Sequence, residues 1–268
     1  MKRIFITGAS SGLGKAAAKL FANRGWNVIA TMRKPEQEQE LHTLEHVEVL
    51  PLDVTDTGQI ASAVEQAISS GPIDVVFNNA GYGLGGVFES ASDEQLTRQI
   101  NTNLLGVMRV TQAFLPHFRE KKSGLFITTT SIGGLITLPF FSVYHATKWA
   151  LEGWSESMAF ELESHGIGIK TVSPGGITTD FAGRSLDMSM HDAYAEDVQK
   201  LMAVMTDPER RNNYSTAEQI AEVVYEAATD GQSKLRYVAG EDAKAMYAQR
   251  LEVGDEAFRT GIRELFFG

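Results

Sequence analysis

The chain has 268 residues, 43% hydrophobic and 22% charged, the composition of a globular protein long enough to bury a substantial core. Its 24 basic against 34 acidic side chains give a formal charge of −10, so neither nucleic acid nor an anionic membrane is expected as the main partner, since phosphate binding needs clustered cations. With no cysteine, disulfides, thiolate metal ligands and a cysteine nucleophile are excluded.

No apolar run approaches the ~18 residues of a membrane span. The apolar stretch after Met1-Lys2-Arg3 is too short for a secretory signal, so a cytoplasmic location is the expectation. In chain order, strand-length apolar runs lie near 4–7, 27–31, 47–50, 74–77, 125–129, 169–172 and 235–238. Helical patterns fall between them at 12–24, 56–69, 92–117, 143–164 and 216–229, with Ser92 and Thr216 as start signals. Strand and helix alternate without a dividing linker. That order predicts one α/β domain over 1–268, a parallel sheet with helices on both faces, because parallel strands need crossovers and the crossovers cover the sheet. The stretch from about 181 to 213 breaks the alternation, with Met188, Met190, Met202 and Met205 among polar residues, and is expected to be a loop-and-helix insertion of the kind that forms lids.

T-G-A-S-S-G-L-G-K, residues 7–15, joins the first strand to the first helix. Gly8 suits a tight turn, Gly12 lets backbone approach a pyrophosphate, and Gly14 lets helix and strand pack closely. The helix N-terminus adds free N–H groups and a positive dipole end. An ordinary Gly-rich turn has the same residues, and an isolated Tyr-x-x-x-Lys, here Tyr144 and Lys148, arises readily by chance. What removes both objections is order. T-G-x-x-x-G-x-G is followed by L-D-V (52–54), N-N-A-G (78–81), N-L-L-G (103–106), Ser131, Y-H-A-T-K (144–148) and P-G (174–175).

In these motifs the sequence resembles the short-chain dehydrogenase/reductase family, closely over about 3–180 and more loosely to R-Y-V-A-G near 236–240. The resemblance implies a Rossmann-type doubly wound sheet and a carbonyl–alcohol oxidoreductase using a nicotinamide dinucleotide. It implies a cofactor site from Gly8, Ser10, Ser11, Gly12, Leu13 and Gly14, then Asp53 and Val54, then Asn79, Ala80 and Gly81. Pro174, Gly175, Ile177 and Thr179 would lie against the nicotinamide. Asp53 would meet the adenine amino group, although Asp53, Thr55 or Asp56 could each cap the helix from 56.

NAD-selective members place an acidic residue at the end of the second strand. A-T-M-R-K (30–34) has Met32 there, followed by Arg33, whose guanidinium could hold a 2′-phosphate through forked hydrogen bonds. NADP(H) is therefore expected over NAD(H). The alternative is that Arg33 and Lys34 are solvated charges facing Glu36, Glu38 and Glu40.

Tyr144 and Lys148 are four apart, so on a helix they share a face. A free tyrosine has a pKa of about 10, and acid–base work near neutrality asks for about 3 to 4 kcal/mol of phenolate stabilisation, which a nearby ammonium favours. By resemblance Tyr144 is the general acid/base, Lys148 lowers its pKa and binds the nicotinamide ribose, Ser131 orients the substrate oxygen, and Asn103 positions a water linking Lys148 to solvent. His145 stands where a small residue is usual and is expected to be a packing or solvent-facing variant within reach of substrate. His42 and His46 are four apart but lack a third ligand, so no metal site is expected.

G-G-L-I-T-L-P-F-F between Ser131 and Tyr144, with Gly83–Gly86, Phe181, Leu186, Met188 and Tyr194, either lines an apolar pocket for a lipophilic carbonyl or alcohol or buries a loop. Trp149, Leu151, Trp154, Met158 and Leu162 on the helix from 143 either pack the core or, by resemblance, join copies into a homodimer or homotetramer. A dinucleotide-sensing regulator or an interaction protein on the same fold are the competing functional classes.

Overall fold

The seven strand-length runs pair side by side as one parallel sheet in a computed structural model that describes residues 1–178 and 186–268. The strands are β1 (Arg3–Thr7), β2 (Asn27–Met32), β3 (Val47–Pro51), β4 (Val75–Asn78), β5 (Gly83–Gly86), β6 (Gly124–Thr129), β7 (Ile167–Pro174), β8 (Leu186–Ser189) and β9 (Arg236–Ala239). The main sheet runs β3-β2-β1-β4-β6-β7-β9, and β5 pairs with β8 in a separate parallel ribbon. The helices are α1 (Gly12–Asn23), α2 (Thr57–Ser69), α3 (Asp93–Ile100), α4 (Gly106–Lys121), α5 (Ser142–Glu163), α6 (Ala195–Met205), α7 (Pro208–Arg211), α8 (Ala217–Thr229), α9 (Glu241–Val253) and α10 (Asp255–Phe267).

Alternation along each strand builds the two cores. Ile4, Ile6, Val28, Ala30 and Phe77 face α1 and α8, meeting Ala17, Phe21, Ile220 and Val224. Phe5, Ile29, Val76 and Phe126 point the other way, onto Ile60, Val64, Val110, Phe114 and Leu162 of α2, α4 and α5. Ser92 and Thr216 cap α3 and α8 through reciprocal capping boxes with Gln95 and Gln219.

Two features depart from the expected pattern. The helix expected over 92–117 is interrupted at Asn101–Leu105 by a π-turn, a wide turn that often marks a functional site. The insertion near 181–213 contains a strand as well as helices: β8 is held to β5 by Ser189 Oγ, which donates to the Val87 carbonyl at 2.8 Å, and α6 packs against α10. On α5, Leu151 and Leu162 are buried and Trp154 and Met158 pack on the second core, whereas Trp149 is exposed beneath the Arg250 guanidinium. Among the described residues no helix is long and apolar enough to cross a membrane.

Strand order reverses direction between β1 and β4, and the crevice beyond the carboxyl ends of those strands is where such sheets hold ligands. The second core is tested at Phe114, fully buried with its ring 4.9 Å from Phe5 and 6.2 Å from Phe118. Phe114→Ala should lower the free energy of urea unfolding by about 3 to 5 kcal/mol without changing the denaturant slope.

Candidate active site

Several strands of the central sheet end on or beside a residue that the sequence singles out. Beyond β1, Gly8 takes φ +69 and comes so close to the next strand that a Cβ there would lie 2.7 Å from the Ala80 Cα. Gly14 is closer still, with a Cβ falling 2.3 Å from the Gly8 carbonyl oxygen and 2.5 Å from the Asn79 amide. The turn is thus wedged against the end of β4. Ser10 and Ser11 are exposed at the start of α1, and Ser11, at the cap position, makes no side-chain cap bond, nor does the first turn hold an acidic residue. The first N–H groups of α1 stay open to an anion, as a pyrophosphate requires.

The end of β4 is cross-linked to both neighbours. The Thr7 hydroxyl accepts from the backbone N–H groups of Asn79 and Ala80 at 2.9 and 3.0 Å. The Asn79 amide donates to the Thr7 and Gly8 carbonyls, both at 3.1 Å, and its carbonyl oxygen receives the Thr129 hydroxyl at 3.3 Å. Lys148 Nζ donates to the Thr129 carbonyl at 2.9 Å. A continuous run of hydrogen bonds therefore joins Lys148 to the Gly-rich turn.

Tyr144 and Lys148 share one face of α5, with the ammonium 5.7 Å from the phenol ring centre. Ser131 faces the same phenol, and its Oγ accepts from the Gly133 N–H at 3.0 Å, which leaves its own proton free to donate. Burial raises the Tyr144 pKa above the ordinary value, and the Ser131 hydrogen bond works against that rise. Burial also brings the Lys148 pKa down to about 8, opposed by the charge of Glu152. Among the chain's own groups, desolvation outweighs the help given to the phenolate.

A sequence model described as short chain dehydrogenase matches residues 2–189. The chain belongs to the short-chain dehydrogenase family of oxidoreductases. It is 38% identical over 265 residues to the oxidoreductase BOA17 of Botryotinia fuckeliana, covering 95% of this chain and 96% of that one. It is 37% identical over 211 residues to a 3-ketodihydrosphingosine reductase of Bacteroides thetaiotaomicron, covering 77% of each. Among solved structures, a short-chain dehydrogenase from Streptomyces avermitilis superposes with a TM-score of 0.85 at 31% identity, covering 98% and 97% of the two chains. ElxO with NADP bound superposes with a TM-score of 0.74 at 25% identity, covering 92% and 99%.

Within this short-chain dehydrogenase the other expected positions sort as follows. Arg33 is exposed and makes no ion pair among the described residues, while Glu38 and Glu40, two of the three carboxylates it was set against, pair with Lys15 and Lys19. Asp56, not Asp53, caps α2; Asp53 Oδ1 instead holds the Thr55 N–H and hydroxyl at 2.9 and 2.7 Å. Leu13 and Val54 bury their side chains in the two cores, so a ligand could meet only their backbone. The Asn103 carboxamide bonds the Tyr82 backbone, its oxygen accepting the Tyr82 N–H at 3.0 Å and one of its N–H groups donating to the Tyr82 carbonyl at 2.7 Å, which locks the chain just past Gly81. Pro174 ends β7, Gly175 follows it and bonds to the Ala239 carbonyl at 3.0 Å, and Ile177 bridges to Ser215. Thr179 and Phe181 lie outside the described residues.

Part of the stretch after Ser131 buries a loop. Ile132, Leu135 and Ile136 pack with Ala243 and Phe258 beneath α9 and α10, and Tyr194 turns its hydroxyl to Glu89. A cavity of about 420 Å³ lined by Leu138, Phe140, His145 and Trp149 opens on the side of α5 away from Tyr144 and Lys148. Thr129, Tyr82, Asp242 and Glu152 are further residues at the site. Asp242 accepts the Gly176 N–H at 2.7 Å and so fixes the turn after Pro174. Only Glu152 carried a sequence signal, a carboxylate one turn past Lys148 in an apolar stretch.

His145 is buried, with its ring edge-on to that of Tyr144 at 6.0 Å between centres. Its Nε2 accepts from the Leu138 N–H at 2.9 Å and its Nδ1 lies 2.6 Å from the Gly133 carbonyl, so the neutral Nδ1–H tautomer staples both ends of the loop that follows Ser131. Burial lowers its pKa, against the raising effect of those two bonds. The unfolded chain consequently takes up this proton first on acidification, and the stability His145 contributes is present above about pH 6.5 and lost as pH falls below it. His145→Gln offers a similar acceptor and donor without titrating. It should cost about 1 kcal/mol at pH near 7.5 and show a shallower loss of stability toward about pH 5 in denaturant melts; parallel acid profiles would overturn this.

Proposed function

We propose that the protein is an NADP(H)-dependent oxidoreductase interconverting a carbonyl and an alcohol, with Tyr144 as general acid/base. The observation that carries the reading is the hydrogen-bonded run from Lys148 through Thr129 and Asn79 to the Gly-rich turn, which ties a proton-transfer pair to an anion-receptive helix end. The residues present fit the dinucleotide: Gly8, Gly12 and the uncapped start of α1 would take the pyrophosphate, Ser11 and Arg33 a 2′-phosphate, and the free side of Asp53 the adenine. Lys148 would hold the nicotinamide ribose, with Pro174, Gly175 and Ile177 closing the far end. When bound, NADP(H) supplies or accepts the hydride.

The chain's own part is the proton. A phenol held above its ordinary pKa is fully protonated at neutral pH, which suits a donor to a carbonyl oxygen. The Ser131 hydroxyl, beside the phenol, would orient that oxygen. As the carbonyl carbon takes up hydride, Tyr144 gives its proton to the oxygen, and Lys148, titrating near 8, is able to return one to the phenolate. For the substrate, Phe141 and Met188 lie against Gly85 beside β5 and favour a lipophilic carbonyl. The resemblance to a 3-ketodihydrosphingosine reductase supports the same class.

NADPH oxidation against a panel of lipophilic ketones and aldehydes tests the reading; tight cofactor binding with no turnover on any of them would favour a sensor. Tyr144→Phe should cut turnover by about 10³-fold while NADPH affinity changes little; retained turnover would sink the assignment. Arg33→Ala should weaken NADPH binding by about 1.5 to 3 kcal/mol, tenfold or more, and leave NADH binding unchanged, as measured by titration calorimetry.

A further inference from the structure

We propose, on the reading just given, that Glu152 is a positioning residue for this reaction. Its carboxylate keeps the Lys148 ammonium charged and fixes the strand ends that carry Ser131 and the Pro174–Gly175 turn. Glu152 lies one helical turn beyond Lys148 and two beyond Tyr144, and is only 4% exposed. A carboxylate so buried is costly unless every oxygen is satisfied. Here Oε1 accepts the hydroxyls of Thr130 at 2.6 Å and Ser173 at 2.9 Å, while Oε2 accepts the Thr171 hydroxyl at 3.2 Å and Arg236 Nε at 2.8 Å.

The origin of these donors is what points beyond a simple anchor. Thr130 immediately precedes Ser131, Ser173 immediately precedes Pro174, and Arg236 begins β9, the outer neighbour of β7. One side chain on the Tyr144–Lys148 helix thereby sets the spacing of that helix from three consecutive elements of the sheet. A neutral amide could make some of these bonds, but it could not balance the lysine.

The charged surroundings of Lys148 are few. On α5 they are Tyr144 and Glu152, since Glu156 is exposed. From β9 comes Arg236, engaged by Glu152 and 3.6 Å from Glu156. The end of β6 faces Lys148 with the Thr129 carbonyl and the Ser131 hydroxyl, β7 presents Thr171 and Ser173 to Glu152, and the π-turn brings the neutral Asn103. The charged residues of α3, Asp93, Glu94 and Arg98, are exposed, and β5 has none. Among the described residues Glu152 is thus the anion near Lys148, and it acts without a direct bond, leaving the remaining ammonium protons to other partners.

The test compares wild type with Glu152→Gln and with the paired variant Glu152→Gln/Arg236→Gln, which removes the guanidinium together with its carboxylate partner and so guards against simple unfolding. Reductive kcat with NADPH is followed from about pH 6 to about pH 10, together with competitive acetylation of Lys148 read by mass spectrometry over the same range. Loss of the carboxylate should move the alkaline half-point of both curves down by about one pH unit or more. A uniform fall in rate, or wild-type rate, with both half-points unmoved would make Glu152 merely structural and overturn the proposal. The labelling curve needs no turnover: if no carbonyl is reduced by the wild type, the functional reading fails, and the Lys148 half-point still decides for or against Glu152.

Discussion

Thr7 and Asn79 hold open the crevice on which the rest of the site depends. Where the strand order reverses, β1 and β4 send their chains to opposite faces of the sheet, and the backbone groups at their ends would be left without partners. The Thr7 hydroxyl takes two of those N–H groups, and the Asn79 amide takes two carbonyls while its own oxygen reaches Thr129 on β6. Three strand ends are therefore fixed without filling the space above them. Gly8 can then lie against Ala80, and the start of α1 points into the gap. Lys148 is tied to the same frame through the Thr129 carbonyl.

The other half of the sheet edge is organised around Glu152. Both nodes lie under the crevice rather than in it, and both satisfy each polar atom they bring into the interior. That is the condition under which a buried polar network specifies one arrangement, since a half-satisfied one would favour alternatives. The Ser131 loop lies between the nodes: Thr130 is bound to Glu152, Gly133 and Leu138 to His145, and Ile132, Leu135 and Ile136 to the apolar underside of α9 and α10. The position of one hydroxyl is thus determined from three directions.

What the sequence reveals of this follows from the range of each interaction. The seven strands were legible because buried parallel strands must be short apolar runs punctuated by helices, and the caps at Ser92 and Thr216 are local chemistry. Gly8 and Gly14 were legible because only glycine fits their contacts. The break at Asn101–Leu105 was not, since a π-turn leaves the helical periodicity almost intact. The β5–β8 pairing was hidden because G-L-G-G has no strand signal and its partner lies 103 positions away at Leu186 and beyond. Asp56 rather than Asp53 as the cap, and the Asn103–Tyr82 bonds, depend on which of several competent side chains reaches first, and only three-dimensional placement settles that. His145 was legible as a packing residue but its bonds were not, because its partners Gly133 and Leu138 come from a loop folded back over it.

The opposing effects of burial on Tyr144 and Lys148 also bear on why these residue types suit the proposed role. Desolvation disfavours charge on either group, so it keeps the phenol protonated and lets the ammonium give up its proton more easily. An arginine at 148 would resist that pressure and remain charged, but for the same reason it could not return a proton to a spent phenolate. A lysine brought to about 8 can do both, provided that a fixed anion stops burial from removing its charge altogether. Glu152 lies where that anion is needed, one turn beyond Lys148 on the same helix, with both carboxylate oxygens held in place by hydrogen bonds from three neighbouring elements of the sheet.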